Sequence, residues 1–436
     1  GLVPLVMEKL LHYVWLHKLF PPGGLTTDGG LPVDVVDPGL PNANAGPDFA
    51  GAKVRIGPTI WAGDVELHLR SSDWHRHGHD SDAAYNRVVL HVAERIDAPV
   101  TTAAGERVPQ VELPVPAELR SHYKALLAEE GFPPCRSILP HVERPAARAW
   151  LTALGVERLE EKTQHVVDVL RRTGGDWERT FFVILARAFG FGVNGTAFEE
   201  WALGIEPSAV GKHRDDAFQV EAFFLGRAGL LEADAVPPER RDAHWKRLVR
   251  EYAFLRHKFG LETMNTARWK FLRLRPQNFP HVRLAQLADL YHRGRCPLAA
   301  VLEARRAADV KTLLTARATG YWETHYVFGR ESTQRSKTLS DASLDGLVVN
   351  AAAPVLFAYG RCHSDEARCE RAVEWLEQTR PERNHVTGAW AAAGLTADNA
   401  AESQALLCLS HRYCARHDCL RCRFGAIWLR QATTRP

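Results

Sequence analysis

The residue types that can do chemistry crowd into one stretch, Asn44–Val92. It carries Gly46-Pro47-Asp48-Phe49, then Gly63-Asp64-Val65-Glu66-Leu67-His68, then Ser71-Ser72-Asp73-Trp74-His75-Arg76-His77-Gly78-His79. With Ile60–Leu69 as a strand, Glu66 and His68 lie two apart and share one face. Asp48 then stands where the preceding strand begins, and a hairpin near Gly57-Pro58 brings it beside Glu66. Two converging carboxylates suit a hard divalent cation, Mg²⁺ or Mn²⁺. His68 beside them could orient or deprotonate a water for attack on phosphorus. His75, His77 and His79 alternate, so an extended segment gives them a common face, with His91 nearby. That opens a second ligand set, Glu66 and His68 with His75 or His77, a mixture suited to Mn, Fe or Zn. The plainer reading makes Asp48 a turn residue, and Glu66 and His68 the solvent face of a half-buried strand.

A second chemical signal lies near the C-terminus, Cys414-X4-Cys419-X2-Cys422, with Cys408 six residues upstream of Cys414. A Cys-X2-Cys knuckle offers two thiolates from one tight turn, as structural zinc and iron–sulphur sites require. The fourth ligand is open among Cys408, Cys362, Cys369, His411 and His417. Arg268–Arg275 and Pro276–Arg283 interleave cations with aromatics, so Arg273, Arg275 and Arg283 could neutralise phosphates while Trp269 stacks on a base. Two further matches fail their context. Gly190-Phe191-Gly192-Val193-Asn194-Gly195 follows an apolar helix rather than a strand, so it reads as a helix end and turn. His213-Arg214-Asp215 has no phosphate-cradling loop or Asp-Phe-Gly to accompany it.

These residues need elements to position them. Met7–Phe20 spaces Leu10, Leu11, Val14, Trp15 and Leu19 as an amphipathic helix. Strands follow at Leu31–Val36, Phe49–Ile56, Ile60–Leu69 and Val88–Val92, with Val108–Leu113 confined to an edge by Pro109. From about Glu143 the pattern turns helical, including Ala146–Leu170, Trp177–Phe189, Leu302–Ala316 and Glu366–Thr379. The expected architecture is an α/β module with a mixed sheet (7–120), a large mostly α-helical region (140–400), and a Cys-rich basic tail (401–436) packed on that region. A length of 436 residues with 45% hydrophobic and 25% charged side chains excludes disordered and fibrous classes. The charged and His residues of the opening helix argue against a secretory signal, and no long uninterrupted apolar run suggests a membrane span. Eight Cys under those conditions fit a reducing compartment, the cytoplasm. Net charge is only +3, yet Leu406–Pro436 holds six Arg against Asp418 alone, a basic terminus compatible with a phosphate-rich partner.

Pro47-Asp48 followed by Glu66-Leu67-His68 resembles the motif of the PD-(D/E)XK nuclease superfamily, an Asp at one strand start and Glu-X-Lys on the next. The resemblance covers about residues 7–95 and implies a restriction-endonuclease-like core in the order helix, strands, helix, strand. It assigns Asp48 and Glu66 to catalytic Mg²⁺ or Mn²⁺, His68 to the attacking water, and Glu8 to the place of an accessory acid. There are two departures. His68 replaces Lys, and Arg70–Arg87 is a poor candidate for the second helix. Some such nucleases carry an iron–sulphur staple of one remote and three clustered Cys, which the tail is similar to. His77-Gly78-His79-Asp80 is distantly similar to the zinc signature of metallo-β-lactamase-like hydrolases, with its order changed. Across the whole chain, Met7–Phe20, Asp37-Pro38-Gly39, Gly46–Phe49, Val65–His79, Phe189–Trp201, Arg273–Arg283, Phe357–Gly360 and Tyr413–Gly425 resemble an uncharacterised bacterial family, domain of unknown function 2851. The function expected from the shorter motif is metal-dependent hydrolysis of DNA or RNA. Its rival is a non-catalytic nucleic-acid- or protein-binding scaffold that keeps only the fold.

Overall fold

Leu10, Leu11, Val14 and Trp15 recur at helical spacing, and all four are buried on helix α1 (Leu2–Leu16). They share a core with Val65 and Leu67, inward residues of strand β5 (Thr59–Arg70). The computed structural model describes residues 2–294 and 296–431. The chain divides into two units, Gly1–Glu143 with Arg412 onward, and Arg144–His411.

The first unit is built on a mixed sheet of seven strands among the described residues. Its strands are β1 (Leu25–Thr26), β2 (Pro32–Asp37), β3 (Leu40–Pro41), β4 (Phe49–Ile56), β5, β6 (Val88–Arg95) and β7 (Gln110–Glu112). The spatial order is β1-β2-β4-β5-β6-β7, with β3 on β4. Pairing is antiparallel from β1 through β5 and parallel for β5–β6 and β6–β7. The two ends of the sheet meet, since Thr27 bridges Val111 and Asp28 N–H donates to Gln110 O at 2.8 Å. Strand β7 begins directly after Pro109, which cannot donate to a ladder. Between β5 and β6 there is only one α-helical turn, α2 (Asp73–Arg76), and a 3-10 turn at Ala83–Tyr85. Helix α3 (Ala117–Ala128) completes the N-terminal part.

From Arg412 on, the expected tail (401–436) belongs to this same unit, which corrects its place for that part, while residues 401–411 stay with the helical unit. Leu429 is buried with α1 and α3, and Trp428 Nε1 donates to His122 O at 3.2 Å. These apolar side chains make a long-range choice that local pattern does not encode.

The second unit is helical, with a core of Phe182, Phe189, Trp201, Phe224 and their neighbours. It opens with α4 (Arg144–Arg172), α5 (Trp177–Phe189) and α6 (Gly195–Leu203). Gly190–Gly195 is the turn between α5 and α6. The expected helix Leu302–Ala316 is two, Leu298–Glu303 and Ala307–Leu314. Ala304 leaves helical geometry, and an Arg306–Asp309 capping box starts the second. Among the described residues, one helical run, Asp341–Cys362, has the length and hydropathy of a membrane span, although Asp345, Asn350 and Arg361 interrupt it. Its apolar window is 72% buried within the protein, the environment of a core helix.

Candidate metal centre

The β4–β5 hairpin pairs Phe49 with Val65 and sets Asp48 beside Glu66. Asp48 N–H donates to Glu66 Oε2, and Leu67 N–H donates to Asp48 Oδ2, both at 3.0 Å. A bulge between Phe49 and Ala52 interrupts the ladder just beyond Asp48, a device that re-aims neighbouring side chains. Glu66 and His68 are 5% and 1% exposed, so the plainer solvent-face reading fails because both faces of β5 are covered.

Three imidazoles converge on this strand. Ligand atoms of His68, His77 and His79 all lie within 4.8 Å of one another. His68 Nε2 is 3.1 Å from His77 Nδ1. Glu66 Oε1 is 3.1 Å from His79 Nε2 and 3.6 Å from His68 Nε2. His77 is exposed, so the cluster opens to solvent on that side.

The turn after α2 makes this convergence. His79 N–H donates to Trp74 O at 3.1 Å and Gly78 N–H to His75 O at 3.0 Å, with Gly78 at φ +76°. Those bonds form a Schellman motif with glycine in the left-handed position. The chain reverses there and aims His77 and His79 together. His75 does not join them, a correction to the extended reading. Its Nδ1 meets Asp80 Oδ2 and its Nε2 meets Pro99 O, each at 2.9 Å. Beneath the turn, buried Trp74 packs edge-on against His79 and His91, and Tyr85 stacks on His79 at 3.8 Å.

A relay sets which nitrogen His68 presents. Ala98 O can only accept, so the group bonded to it at 2.9 Å is the Gln110 amide nitrogen. Gln110 Oε1 then faces His91 Nδ1 at 3.0 Å and takes its proton in a hydrogen bond. Burial pushes His91 down to about 4, so its Nε2 keeps a lone pair. His68 Nδ1–H donates to that lone pair at 2.8 Å. Burial, then the neighbouring imidazoles beginning with His91, lower His68 to about 2. His68 is therefore a neutral imidazole offering a free Nε2 to the cluster, as a metal ligand must.

A second polar group adjoins. His12 Nε2 is 3.3 Å from Asp48 Oδ2. Burial works against its proton, but Asp48, Glu8 and Glu66 outweigh that and raise His12 above its ordinary range. Burial raises the Glu8 carboxyl, and His12 opposes the rise. Glu66 is likewise raised by burial, against the hydrogen bond from His79. Sequence reasoning missed His12 in the site, although it stands one turn beyond Glu8 and so shares its helix face.

The tail cysteines gather with a partner the sequence did not suggest. Burial raises Cys414 most, and the charges of Cys135, Cys422 and Cys419 add to it. Cys135 and Cys419 are each pushed up to about 12 by burial, then by neighbouring thiols, Cys422 first. Cys135 and Cys422 are buried and Cys414 and Cys419 half-buried, and thiols that disfavour one another's ionisation could serve as donors to a cation. Cys408, the expected fourth ligand, is buried on helix Ala400–Cys408 of the second unit. Cys362 and Cys369 also belong to that unit.

The basic-aromatic segment is in the second unit and divides by burial. Arg273 and Arg275 are exposed, whereas Trp269 is 5% exposed and donates Nε1–H to Ala228 O at 2.8 Å. Arg283 is 6% exposed, bonded to Gln286 and Asn278, and cannot meet a phosphate. Both are corrections: apolar packing claims the ring, and local amides claim the guanidinium.

Among curated proteins nothing matches this chain, and among solved structures nothing does either. One family model does match, over residues 8–385, a span that includes Glu8 to Gln110 and stops before Cys414. With most of its length covered by that model, the chain belongs to the family described as protein of unknown function (DUF2851).

Proposed function

We propose that the first unit is a metal-dependent hydrolase of phosphodiester bonds in DNA or RNA. Its ion is held by Glu66, His68, His77 and His79. The observation carrying this reading is the convergence of three imidazoles and the Glu66 carboxylate, with His68 locked in the tautomer that leaves Nε2 free. Imidazole-rich ligand sets favour Mn, Fe or Zn over Mg. Such an ion supplies an acidified water and polarises the phosphoryl oxygen. The chain's own contribution is to hold the ligands rigid, keep His68 neutral, and hold a proton on His12 through Asp48. His12 is the group placed to hand that proton to a leaving oxygen. The choice of phosphodiester rests on the order helix, strands, short helix, strand, with Asp48 at one strand's start and Glu66-Leu67-His68 on the next. Cys135, Cys414, Cys419 and Cys422 would bind a structural zinc ion or iron–sulphur cluster, which suits the reducing cytoplasm.

One observation favours the scaffold instead: Asp48 and Glu66 each bond the other strand's backbone, as a purely structural clasp would. Cleavage of labelled single- and double-stranded DNA and RNA with Mn²⁺, Zn²⁺ or Mg²⁺ separates the two. Wild-type cleavage lost in Asp48→Ala/Glu66→Ala and reduced at least tenfold in the solvent-facing His77→Ala supports the hydrolase. Metal binding without cleavage under any condition moves the assignment to the scaffold.

A further inference from the structure

The second unit contains a cleft of about 1140 Å³, walled by α4, α5 and the run Asp341–Cys362. Its charged lining comprises Arg158, Lys162, Arg187, Arg380 and Arg383 against Glu161, Asp345 and Glu382. Every acid is engaged. Glu161 pairs with Arg158 at 2.7 Å, and Asp345 pairs with Arg380 and Lys311, each at 2.8 Å. Glu382 accepts from Ser403 and Gln404. Arg187 is taken by Glu199 at 2.9 Å. Two cations are left without a carboxylate among the described residues, Lys162 and the exposed Arg383.

Lys162 is held by a backbone irregularity. Residues Val348–Ala352 form a π-turn, in which Ala353 N–H bonds Val348 O, five residues back. That register points Val349 O at Pro354, which has no N–H to give. The freed carbonyl accepts from Lys162 Nζ at 3.1 Å, and Asn350 Oδ1 accepts at 3.0 Å. An ammonium has three donors, so one is still uncommitted. Nearby, Phe191 lines the cleft with φ +41°, in the left-handed region a side chain rarely adopts. Arg283 stacks on its ring at 4.2 Å and fixes it there. Phe191 belongs to the Gly190–Gly195 phrase, which the first unit's chemistry does not use.

We propose that this cleft binds a nucleoside phosphate, either a free nucleotide or a segment of nucleic acid. Lys162 and Arg383 meet the phosphate and Phe191 faces the nucleoside. The space exceeds what a bare anion needs and has an apolar wall of Val166, Ile184 and Ala188. Burial, with Arg158 adding repulsion and Glu382 and Glu161 opposing, pushes the Lys162 ammonium down to about 7, so a seated anion restores its charge. Calorimetric titration of the full chain with ATP, and fluorescence titration with a labelled single-stranded oligonucleotide in EDTA, test this. Expected is salt-sensitive binding, weakened at least tenfold in Lys162→Gln and in Arg383→Ala. Binding of ATP identifies a free nucleotide; binding of the oligonucleotide alone identifies nucleic acid. Arg383 is exposed, so its variant keeps the fold if Lys162→Gln does not. No binding of either ligand, or binding undiminished in Arg383→Ala, overturns the proposal.

Discussion

Gln110 touches none of the converging cluster atoms, yet its amide decides which nitrogen His68 offers them. Replacing it with Leu leaves His91 Nδ1 without an acceptor and frees both imidazoles to exchange tautomers. Metal affinity is expected to fall roughly 10–100-fold, the usual effect of losing a supporting partner. Competition titration against a chromophoric chelator measures the fall. A second residue governs acid stability. His281 is buried, and burial alone lowers it to about 4 from its ordinary 6.5. Between those values the unfolded chain holds the proton and the folded chain does not, so stability present above pH 6.5 is lost as pH falls toward 4. The loss amounts to up to about 3 kcal/mol, and His281→Leu should flatten it in urea midpoints measured from pH 7 to 4. At this scale the sequence was partly readable. Type and spacing singled out Glu8, Asp48, Glu66, His68, His77 and His79, which the fold brings into one neighbourhood. Gln110 was invisible because only the β6–β7 register sets it beside His91.

Elements explain the histidines that alternate in sequence but part in space. An extended strand would align His75, His77 and His79, whereas one helical turn followed by left-handed Gly78 sends His75 to Asp80 and Pro99. A Cβ at Gly78 would meet only Ser81 Oγ at 3.7 Å, so Gly78→Ala suffers backbone strain and no clash. The expected cost is about 1–2 kcal/mol, with metal affinity falling further as the turn relaxes; thermal melts with and without Mn²⁺ measure both. Gly63 is the opposite case, since a Cβ there would sit 2.4 Å from Val89 Cγ1 and 2.6 Å from Arg87 O. Gly63→Ala should lower stability by about 1–3 kcal/mol through β5–β6 separation, read by denaturant midpoint. Helices with one strong apolar stripe, such as Trp177–Phe189, were legible to the residue. The crossover between β5 and β6 was not, because its hydrogen bonds and not its hydropathy define it.

At the scale of the molecule, thiols from distant parts of the first unit come close enough to raise one another. Cys135 precedes the second unit and Cys414, Cys419 and Cys422 follow it. On the proposed reading that these thiols hold a metal, Cys135→Ser should lower bound metal as much as Cys419→Ser, whereas Cys408→Ser should not; metal content after gel filtration checks this. Spacing alone announced the downstream three, but a lone Cys135 carries no local signature, and the tail's packing on α1 and α3 is a long-range outcome. Because the first unit is interrupted, translation fixes an order of events. The whole of Arg144–His411 emerges after Cys135 and before Cys414. At about 5–20 residues per second, the early half waits on the order of tens of seconds for its closing segment. When His411 has been added the second unit has its complete sequence, while the sheet beside α1 still lacks Trp428 and Leu429 to cover it. The first unit is accordingly completed only after all of Arg144–His411 has been made.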